Sequence, residues 1–285
     1  MITYSDLLKK GIAILTEKNV PFSERDARLL LTGLLKCSLS NFSFHIQFQE
    51  ADQSIIDQYE QQIIRRGNRE PLSYIEGEIN FYGVKILLSP AVLIPRQETE
   101  IFIEKFCNAI VASSKKEPII WDLCCGSGCI GIAVKKKLPH TKVSISDICS
   151  KAILIAHQNV KINNVDVEIF EGDLFAPFQG RSCDFIICNP PYITEKDWCN
   201  LMPEVRDYEP KKALVGKGLD GLGFYAKIAN SFSSYLMDDG ELWLEIGSKQ
   251  GEGVKKIFSR KKYFGQIFKD WSGNDRFFSL NMIKN

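Results

Sequence analysis

The segment Asn189-Pro190-Pro191-Tyr192 combines polar groups and rigidity in a way that suits the binding of a planar nitrogen group. It directly follows the mainly apolar run Asp184–Cys188, which is typical of a central strand in a parallel sheet. Two consecutive prolines fix φ and remove two backbone donors, so the Asn189 side-chain oxygen and the Pro190 carbonyl remain as acceptors. Tyr192 is near enough in sequence to stack on a planar group. The sequence therefore predicts a stiff corner that accepts both hydrogens of an NH2 group.

Such a corner answers a difficulty in nitrogen chemistry. An amide or exocyclic amine nitrogen is a poor nucleophile because its lone pair is delocalised. Two acceptors that hold its hydrogens would direct the lone pair at an electrophile and stabilise the positive charge that grows on nitrogen, without a strong base. Methyl transfer is the reaction that this arrangement favours, with Asn189 and Pro190 as the predicted catalytic residues. At this point a nucleobase amine and a protein amide are equally good acceptors.

A glycine-rich loop, Cys124-Cys125-Gly126-Ser127-Gly128, stands upstream between a predicted strand and a predicted helix. Glycines allow the backbone to turn tightly and to approach a ligand, and the helix N-terminus offers free N–H groups. Asp147 ends the next predicted strand, where an acid can bind a ribose diol. A nicotinamide dinucleotide and S-adenosylmethionine both carry that diol, so the loop alone fits either cofactor.

The acids around the loop help to separate these two cofactors. A pyrophosphate favours a helix N-terminus that has no carboxylate nearby. Asp122 lies at the entrance of the loop, where we expect it to repel a pyrophosphate and to suit a sulfonium or amino group. After the third core strand, we expect Asp173 to contact an adenine and Leu174 to pack on its ring. This pattern favours S-adenosylmethionine.

The periodicity of apolar residues divides the chain into three parts. Residues 1–75 are predicted to be helical, residues 76–96 to contain a hairpin that turns near Gly83, and residues 97–285 to alternate between strands and helices. The predicted parallel strands are Pro118–Cys124, Lys142–Asp147, Val165–Glu171, Asp184–Cys188 and Glu241–Ile246, and a hairpin within Tyr263–Ile283 follows them. This order predicts an α/β fold with a doubly wound, mostly parallel seven-stranded sheet and a small N-terminal helical domain.

The charge balance and the cysteines argue against several kinds of partner. Lys and Arg number 36 against 35 Asp and Glu, a net charge of +1, so we expect no stable binding to nucleic acid. No apolar run approaches the roughly 20 residues that span a bilayer, and we expect no secretory signal. Nine scattered cysteines, an odd number, indicate reduced thiols in the cytoplasm rather than disulfides or a metal site. We also expect a monomer.

Four further segments carry a family resemblance. They are Leu93-Ile94-Pro95-Arg96-Gln97-Glu98-Thr99-Glu100, Glu204-Val205-Arg206-Asp207-Tyr208-Glu209-Pro210, Gly218-Leu219-Asp220-Gly221-Leu222 and Leu244-Glu245-Ile246-Gly247. Together with the loop and the corner, they make nearly the whole chain resemble the bacterial peptide-chain release factor glutamine methyltransferases. These enzymes are class I S-adenosylmethionine-dependent methyltransferases of Rossmann-like fold.

The resemblance implies methylation of the side-chain amide nitrogen (N5) of the glutamine in the Gly-Gly-Gln motif of release factors. It implies S-adenosylmethionine as cofactor and S-adenosylhomocysteine as product. Residues 1–75 would recognise the release factor, 76–96 would connect, and 97–285 would bind the cofactor and catalyse. Carried over by position, the cofactor would contact Cys124, Cys125, Gly126, Ser127, Gly128, Asp147, Leu174 and Asn189, and the glutamine would contact Asn189, Pro190, Pro191 and Tyr192. Arg96 and Thr99 would line the methionine end of the cofactor or belong to a helix-capping linker.

Three positions depart from the family pattern. Cys124 stands where the family usually has Gly, Cys125 where it often has Thr, and Gln97 where it has Pro. Because a Cβ restricts φ, we expect the turn at Cys124 to suit an L-residue.

The main alternative is a DNA adenine or ribosomal RNA guanine methyltransferase, which would use the same corner for an exocyclic amine. Such an enzyme predicts a basic groove or an RNA-binding domain, whereas the N-terminal segment is neutral. A nicotinamide-dependent oxidoreductase would share the glycine loop but has no use for the proline-rigidified corner.

Overall fold

The computed structural model describes residues 2–46 and 50–282. In chain order, its helices are α1 (Tyr4–Glu17), α2 (Ser23–Leu35), α3 (Leu39–Ile46), α4 (Gln53–Gly67), α5 (Leu72–Glu76), α6 (Gln97–Ala112), α7 (Cys129–Lys137), α8 (Ser150–Asn163), α9 (Glu195–Trp198), α10 (Pro203–Arg206), α11 (Lys211–Leu214), α12 (Gly223–Ser231) and α13 (Gly251–Ser259). Its strands are β1 (Glu78–Phe81), β2 (Val84–Leu87), β3 (Ile119–Leu123), β4 (Lys142–Asp147), β5 (Val167–Glu171), β6 (Cys183–Cys188), β7 (Leu236–Glu245), β8 (Gln266–Lys269) and β9 (Asp275–Asn281). None of the helices in these ranges is long and apolar enough to cross a membrane.

The chain forms two compact units. The helical unit comprises the residues up to Glu78 together with Met202–Tyr208, and the sheet unit comprises Ile79–Leu201 and the residues from Glu209 onward. The sequence pattern assigned Met202–Tyr208 to the 97–285 segment. In the structure these seven residues pack with the helical unit instead.

The helical unit is held together by an apolar core and a buried ion network. Leu7, Leu15 and Tyr59 are among its buried residues, and α1 approaches α4 so closely that a side chain at Gly11 would collide with the Tyr59 ring. The guanidinium of Arg66, on α4, donates to Asp26 Oδ2 at 2.8 Å and to Glu204 Oε1 at 3.1 Å. The segment Met202–Tyr208 is thereby fixed to this unit by charge-assisted hydrogen bonds.

The sheet unit confirms the predicted doubly wound, mostly parallel seven-stranded sheet. Its strand order is β5-β4-β3-β6-β7-β9-β8, with β3 to β7 parallel and β9 antiparallel to its two neighbours, β7 and β8. Every residue of β6 is buried, as expected for a central strand covered on both faces. The last parallel strand begins at Leu236, earlier than the predicted Glu241, and ends at Glu245. Ile283, the predicted end of the hairpin segment, lies outside the described residues.

The direction of winding reverses between β3 and β6. Strands β4 and β5 extend the sheet on one side of β3, whereas β6 and β7 lie on its other side. In such sheets, ligands bind in the crevice at the carboxyl ends of the strands where the order reverses. The glycine-rich loop follows β3 and the Asn189–Tyr192 corner follows β6, so the sheet brings these two segments to one edge.

Candidate cofactor and acceptor site

A cavity of about 380 Å³ opens at the carboxyl ends of β3, β4, β5 and β6. Its size and mainly apolar lining are typical of small-molecule sites. The lining includes Arg96 and Thr99, Cys124, Cys125, Gly126 and Ser127 after β3, Asp147 and Ile148 at the end of β4, Asp173 and Leu174 after β5, and Asn189 and Pro191 after β6. Three residues that the sequence assigned to ligand binding, Gly128, Pro190 and Tyr192, are not part of this lining.

The backbone of the glycine-rich loop is left-handed at three positions. Gly126 has φ +55°, and a Cβ there would meet nothing within 4 Å, so the loop is open at this residue. Gly128 has φ +79°, and a Cβ there would lie 3.0 Å from Ile145 Cδ1, so this glycine allows close packing of the loop on β4. Cys124 has φ +57°, in the region that favours glycine. The expectation that this turn suits an L-residue is therefore wrong.

Asp147 lines the cavity and also holds the loop. Its Oδ2 accepts a hydrogen bond from Gly126 N at 2.9 Å, and its Oδ1 accepts one from Cys149 N at 2.9 Å. Burial raises the pKa of Asp147, and these backbone amides act in the opposite direction. Carboxylate oxygens accept more than one hydrogen bond, so a ligand hydroxyl can still be bound.

Asp122 lies beneath the loop and does not face the cavity. Its carboxyl group is fully buried, Oδ2 accepts from Gly131 N at 2.9 Å, and Oδ1 has no partner among the described residues. Burial raises the pKa of Asp122 to about 8. The expectation that Asp122 contacts a cationic cofactor is therefore wrong. The bond from Gly131 nevertheless uses one of the free N–H groups of α7 that a pyrophosphate would need.

Ile148 is a site residue that sequence reasoning missed. Its side chain is 66% exposed although it is large and apolar, and it lines the cavity directly after Asp147. Leu174, on the neighbouring strand end, also lines the cavity and is buried. Two apolar side chains beside a carboxylate suit a base attached to a ribose. The position immediately after the strand-ending acid was the only sequence signal for Ile148.

The Asn189–Tyr192 corner is held through its backbone. Tyr192 N and Ile193 N both donate to Leu214 O, at 3.1 and 2.9 Å. The Gln250 side chain donates from Nε2 to Tyr192 O at 2.9 Å and to Asp220 O at 3.0 Å, and its Oε1 accepts from Gly247 N at 3.0 Å. None of the described residues forms a hydrogen bond with the Asn189 side chain, which lines the cavity and is only partly buried.

Two glycines let the following loop approach the corner. A Cβ at Gly216 would lie 2.9 Å from Pro191 O, and one at Gly221 would overlap the Tyr192 carbonyl oxygen. Tyr192 itself packs its ring against the sheet core and donates from its hydroxyl to Glu245 Oε1 at 3.3 Å. Stacking of Tyr192 on a substrate therefore stays a prediction.

A carboxylate joins the two segments that were most particular in the sequence. Glu209 is buried, its Oε2 accepts from Ile94 N at 3.1 Å, and its Oε1 accepts from Arg96 Nη2 at 2.6 Å. Arg96 thus lines the cavity while its guanidinium is paired. Helix α6 begins at Gln97, so Thr99 lies inside its first turn and does not cap it. The Thr99 hydroxyl donates instead to Glu245 Oε2 at 2.8 Å.

Comparison with known proteins agrees with this geometry. Residues 97–204 match the methyltransferase small domain, and residues 6–77 match the PrmC N-terminal domain. The release factor glutamine methyltransferase of Chlamydia trachomatis serovar L2 is 42% identical over 274 residues, which cover 96% of this chain and 92% of that protein. The protein of the same name from Fusobacterium nucleatum is 37% identical, covering 95% of this chain and 77% of its own length.

The fold is shared more widely than the sequence. A methyltransferase from Pyrococcus furiosus superposes with a TM-score of 0.55 at 17% identity, covering 72% of this chain and 91% of that structure. This likeness concerns the fold alone, whereas the curated relatives match nearly the whole sequence. On the strength of those relatives, the chain belongs to the release factor glutamine methyltransferase family.

Proposed function

We propose that this chain methylates the N5 side-chain amide nitrogen of the glutamine in the Gly-Gly-Gln motif of peptide-chain release factors. S-adenosylmethionine would be the cofactor and S-adenosylhomocysteine the product. The observation that carries the proposal is one cavity lined by the glycine-rich loop, by Asp147 and by Asn189. Membership of the family supports the glutamine rather than a nucleobase as acceptor.

The residues of the cavity fit S-adenosylmethionine. The Asp147 carboxylate would hold the ribose hydroxyls, and Ile148 and Leu174 would enclose the adenine between apolar surfaces. The loop Cys124–Gly128 would bring its backbone against the cofactor, with Gly126 leaving space. A dinucleotide is disfavoured because Gly131 N–H is already bound to Asp122. When bound, the cofactor supplies a methyl group on a positively charged sulfur.

Asn189 and Pro190 would orient the acceptor amide. The Asn189 side-chain oxygen lines the cavity without a partner among the described residues, so it can accept one hydrogen of the glutamine NH2 group. The Pro190 carbonyl would accept the other, and Pro191 keeps the corner rigid. Each hydrogen bond would contribute about 1–3 kcal/mol to the alignment and to stabilising the charge on nitrogen. Tyr192 would complete the glutamine-binding set.

The parts of the chain would divide the work. Residues 1–75 would recognise the release factor, 76–96 would connect, and 97–285 would carry out the transfer. We propose a monomer that acts in the cytoplasm and forms no stable complex with nucleic acid, in keeping with the net charge of +1.

Labelled S-adenosylmethionine tests the proposal directly. The protein is incubated separately with purified release factor, ribosomal RNA and DNA. We expect nuclease-resistant label on the release factor, and its loss when the Gly-Gly-Gln glutamine is replaced by alanine. Label on nucleic acid alone would overturn the proposal and favour the DNA adenine or ribosomal RNA guanine alternative.

A matched pair of variants tests the role of Asn189. Asn189→Ala should lower turnover by at least about tenfold, because one acceptor is lost. Asn200→Ala removes an exposed side chain whose one hydrogen bond within the described part of the chain is to Lys196 O, and it should leave turnover unchanged. Equal turnover of the two variants would contradict a catalytic role for Asn189.

A further inference from the structure

Glu245, the last residue of β7, is a buried carboxylate that the proposed reaction does not use. Glu245 is only 1% exposed. Oε2 accepts a hydrogen bond from the Thr99 hydroxyl at 2.8 Å, and Oε1 accepts one from the Tyr192 hydroxyl at 3.3 Å. Removing a carboxylate from water is costly, so a buried one needs a reason to be present.

The two donors belong to two segments that both contribute residues to the cavity, the start of α6 and the Asn189–Tyr192 corner. Thr99 lies in the first turn of α6 and lines the cavity beside the glycine-rich loop. Tyr192 ends the corner that presents Asn189. One carboxylate therefore connects the part of the cavity lining at Thr99, called the cofactor wall here, to the acceptor corner.

Glu245 is itself firmly placed. Its neighbour Leu244 pairs with Cys188 on β6, and Glu245 pairs with Phe277 on β9. The Tyr225 hydroxyl donates to the Glu245 backbone oxygen at 3.0 Å. The carboxylate can thus act as a fixed point to which the Thr99 and Tyr192 hydroxyls are bound.

The ionisation of Glu245 decides which bonds are possible. An ionised carboxylate accepts from both hydroxyls, whereas a protonated one carries a donor and cannot accept from both oxygens equally. Burial raises the pKa of Glu245 to about 7, Thr99, Arg276 and Tyr192 lower it, and Glu98 raises it. The two-donor arrangement is therefore weakened as the pH falls through about 7.

We propose that Glu245 is a positioning residue, which sets the spacing between the cofactor wall and the acceptor corner through Thr99 and Tyr192. The inference rests on the proposed function in that the corner must present the acceptor amide to the cofactor. It adds a group that touches neither the cofactor nor the acceptor amide.

Glu245→Gln is the direct test, because glutamine keeps the shape but cannot ionise. In the wild-type protein, kcat for release-factor methylation should rise with pH through about 7. In the variant kcat should be lower by about tenfold above pH 8 and should lose this rise, while KM for the release factor changes less than threefold. Tyr192→Phe removes one of the two bonds and should give an intermediate kcat. Glu241→Gln, on the same strand with its carboxylate bound to Trp243 Nε1, is the matched control and should behave as the wild type.

Two outcomes would overturn the inference. One is a Glu245→Gln variant with wild-type kcat and pH profile. The other is a Tyr192→Phe variant that equals the wild type while Glu245→Gln is impaired. S-adenosylhomocysteine binding, measured by calorimetry from pH 6 to 9, separates this inference from the proposed function. If the wild type labels no release factor, the proposed function fails. The inference is then judged by binding alone. Wild-type affinity should rise with pH through about 7, because Thr99 lines the cavity and is held by Glu245. Glu245→Gln should remove that rise, and an unchanged dependence would refute the inference.

Discussion

Replacing Gly221 by alanine tests how closely the loop 216–221 supports the Asn189–Tyr192 corner. Gly221 has φ +72°, and a Cβ there would lie 3.1 Å from the Tyr192 carbonyl carbon, nearer still to its oxygen, and 2.9 Å from Gln250 Nε2. Gly218, in the same loop, has φ +86°, and its Cβ would meet only Asp220 Oδ1, at 3.2 Å. Both alanines would have the same kind of backbone strain, but only the alanine at 221 would displace the corner.

The sizes of the two effects can be estimated. Left-handed backbone costs an L-residue about 1–2 kcal/mol, which both variants lose. Overpacking adds about 1–3 kcal/mol in Gly221→Ala, because the Tyr192 carbonyl must move by about 1 Å and the bond from Gln250 is strained. A displacement of about 1 Å of a positioning group can lower turnover roughly 100-fold. Gly218→Ala should stay within about threefold of the wild type.

Urea unfolding and methylation of a release factor measure these two effects. We expect Gly221→Ala to be less stable than Gly218→Ala and to have a much lower kcat at temperatures where both are folded. If the two variants have equal kcat, the loop does not determine the position of the corner. If both lose activity in proportion to the fraction unfolded, strain alone is responsible.

Three more substitutions test separate features. Cys124→Gly relieves left-handed backbone at φ +57° but adds freedom to the unfolded chain, so the free energy of unfolding should rise by up to about 1 kcal/mol, and a fall in a urea titration would contradict this. Burial raises the pKa of Asp122 to about 8, so the folded state holds a proton that the unfolded state releases, and the contribution of Asp122 to wild-type stability should fall as the pH rises from about 4 to about 8. Asp122→Asn should weaken that fall between pH 5 and 8, and equal slopes for both proteins would refute the assignment. Arg66→Met leaves Asp26 without its buried partner and should cost about 3–5 kcal/mol, whereas a loss below about 1 kcal/mol would show that the ion network contributes little.

The strands and the cavity wall were predictable because they follow local patterns. Apolar runs placed β3, β4, β5 and β6 to within two residues, and a parallel sheet necessarily brings their carboxyl ends together. Gly126, Asp147 and Asn189 could be located for this reason. Their roles toward a ligand remain predictions, since they depend on what enters the cavity.

The supporting carboxylates and Gln250 could not be predicted in the same way. Glu209 bonds to Ile94 and Arg96 across 115 and 113 positions, and Glu245 bonds to Thr99 across 146. From the sequence alone, a glutamate is expected at the surface, because charged side chains are rarely buried. Only their presence in family-like segments marked Glu209 and Glu245, and Gln250 lies outside those segments.

The wrong expectation for Asp122 has a simpler cause. Successive side chains of a strand point to opposite faces of the sheet, and Asp122 belongs to β3 itself rather than to the loop that follows. Its carboxylate therefore meets the first turn of α7. The position of a residue beside a binding loop in the sequence does not establish which way the side chain of that residue points.

The return of Met202–Tyr208 to the helical unit sets an order of events on the ribosome. Glu204 follows its partner Arg66 by 138 positions, which at 5–20 residues per second means about 7–28 s of synthesis. Throughout that interval the nascent helical unit lacks one carboxylate of its ion network, and for most of it every helix from α1 to α5 has already been made. The unit encoded first is thus completed only after the glycine-rich loop and the corner have left the ribosome.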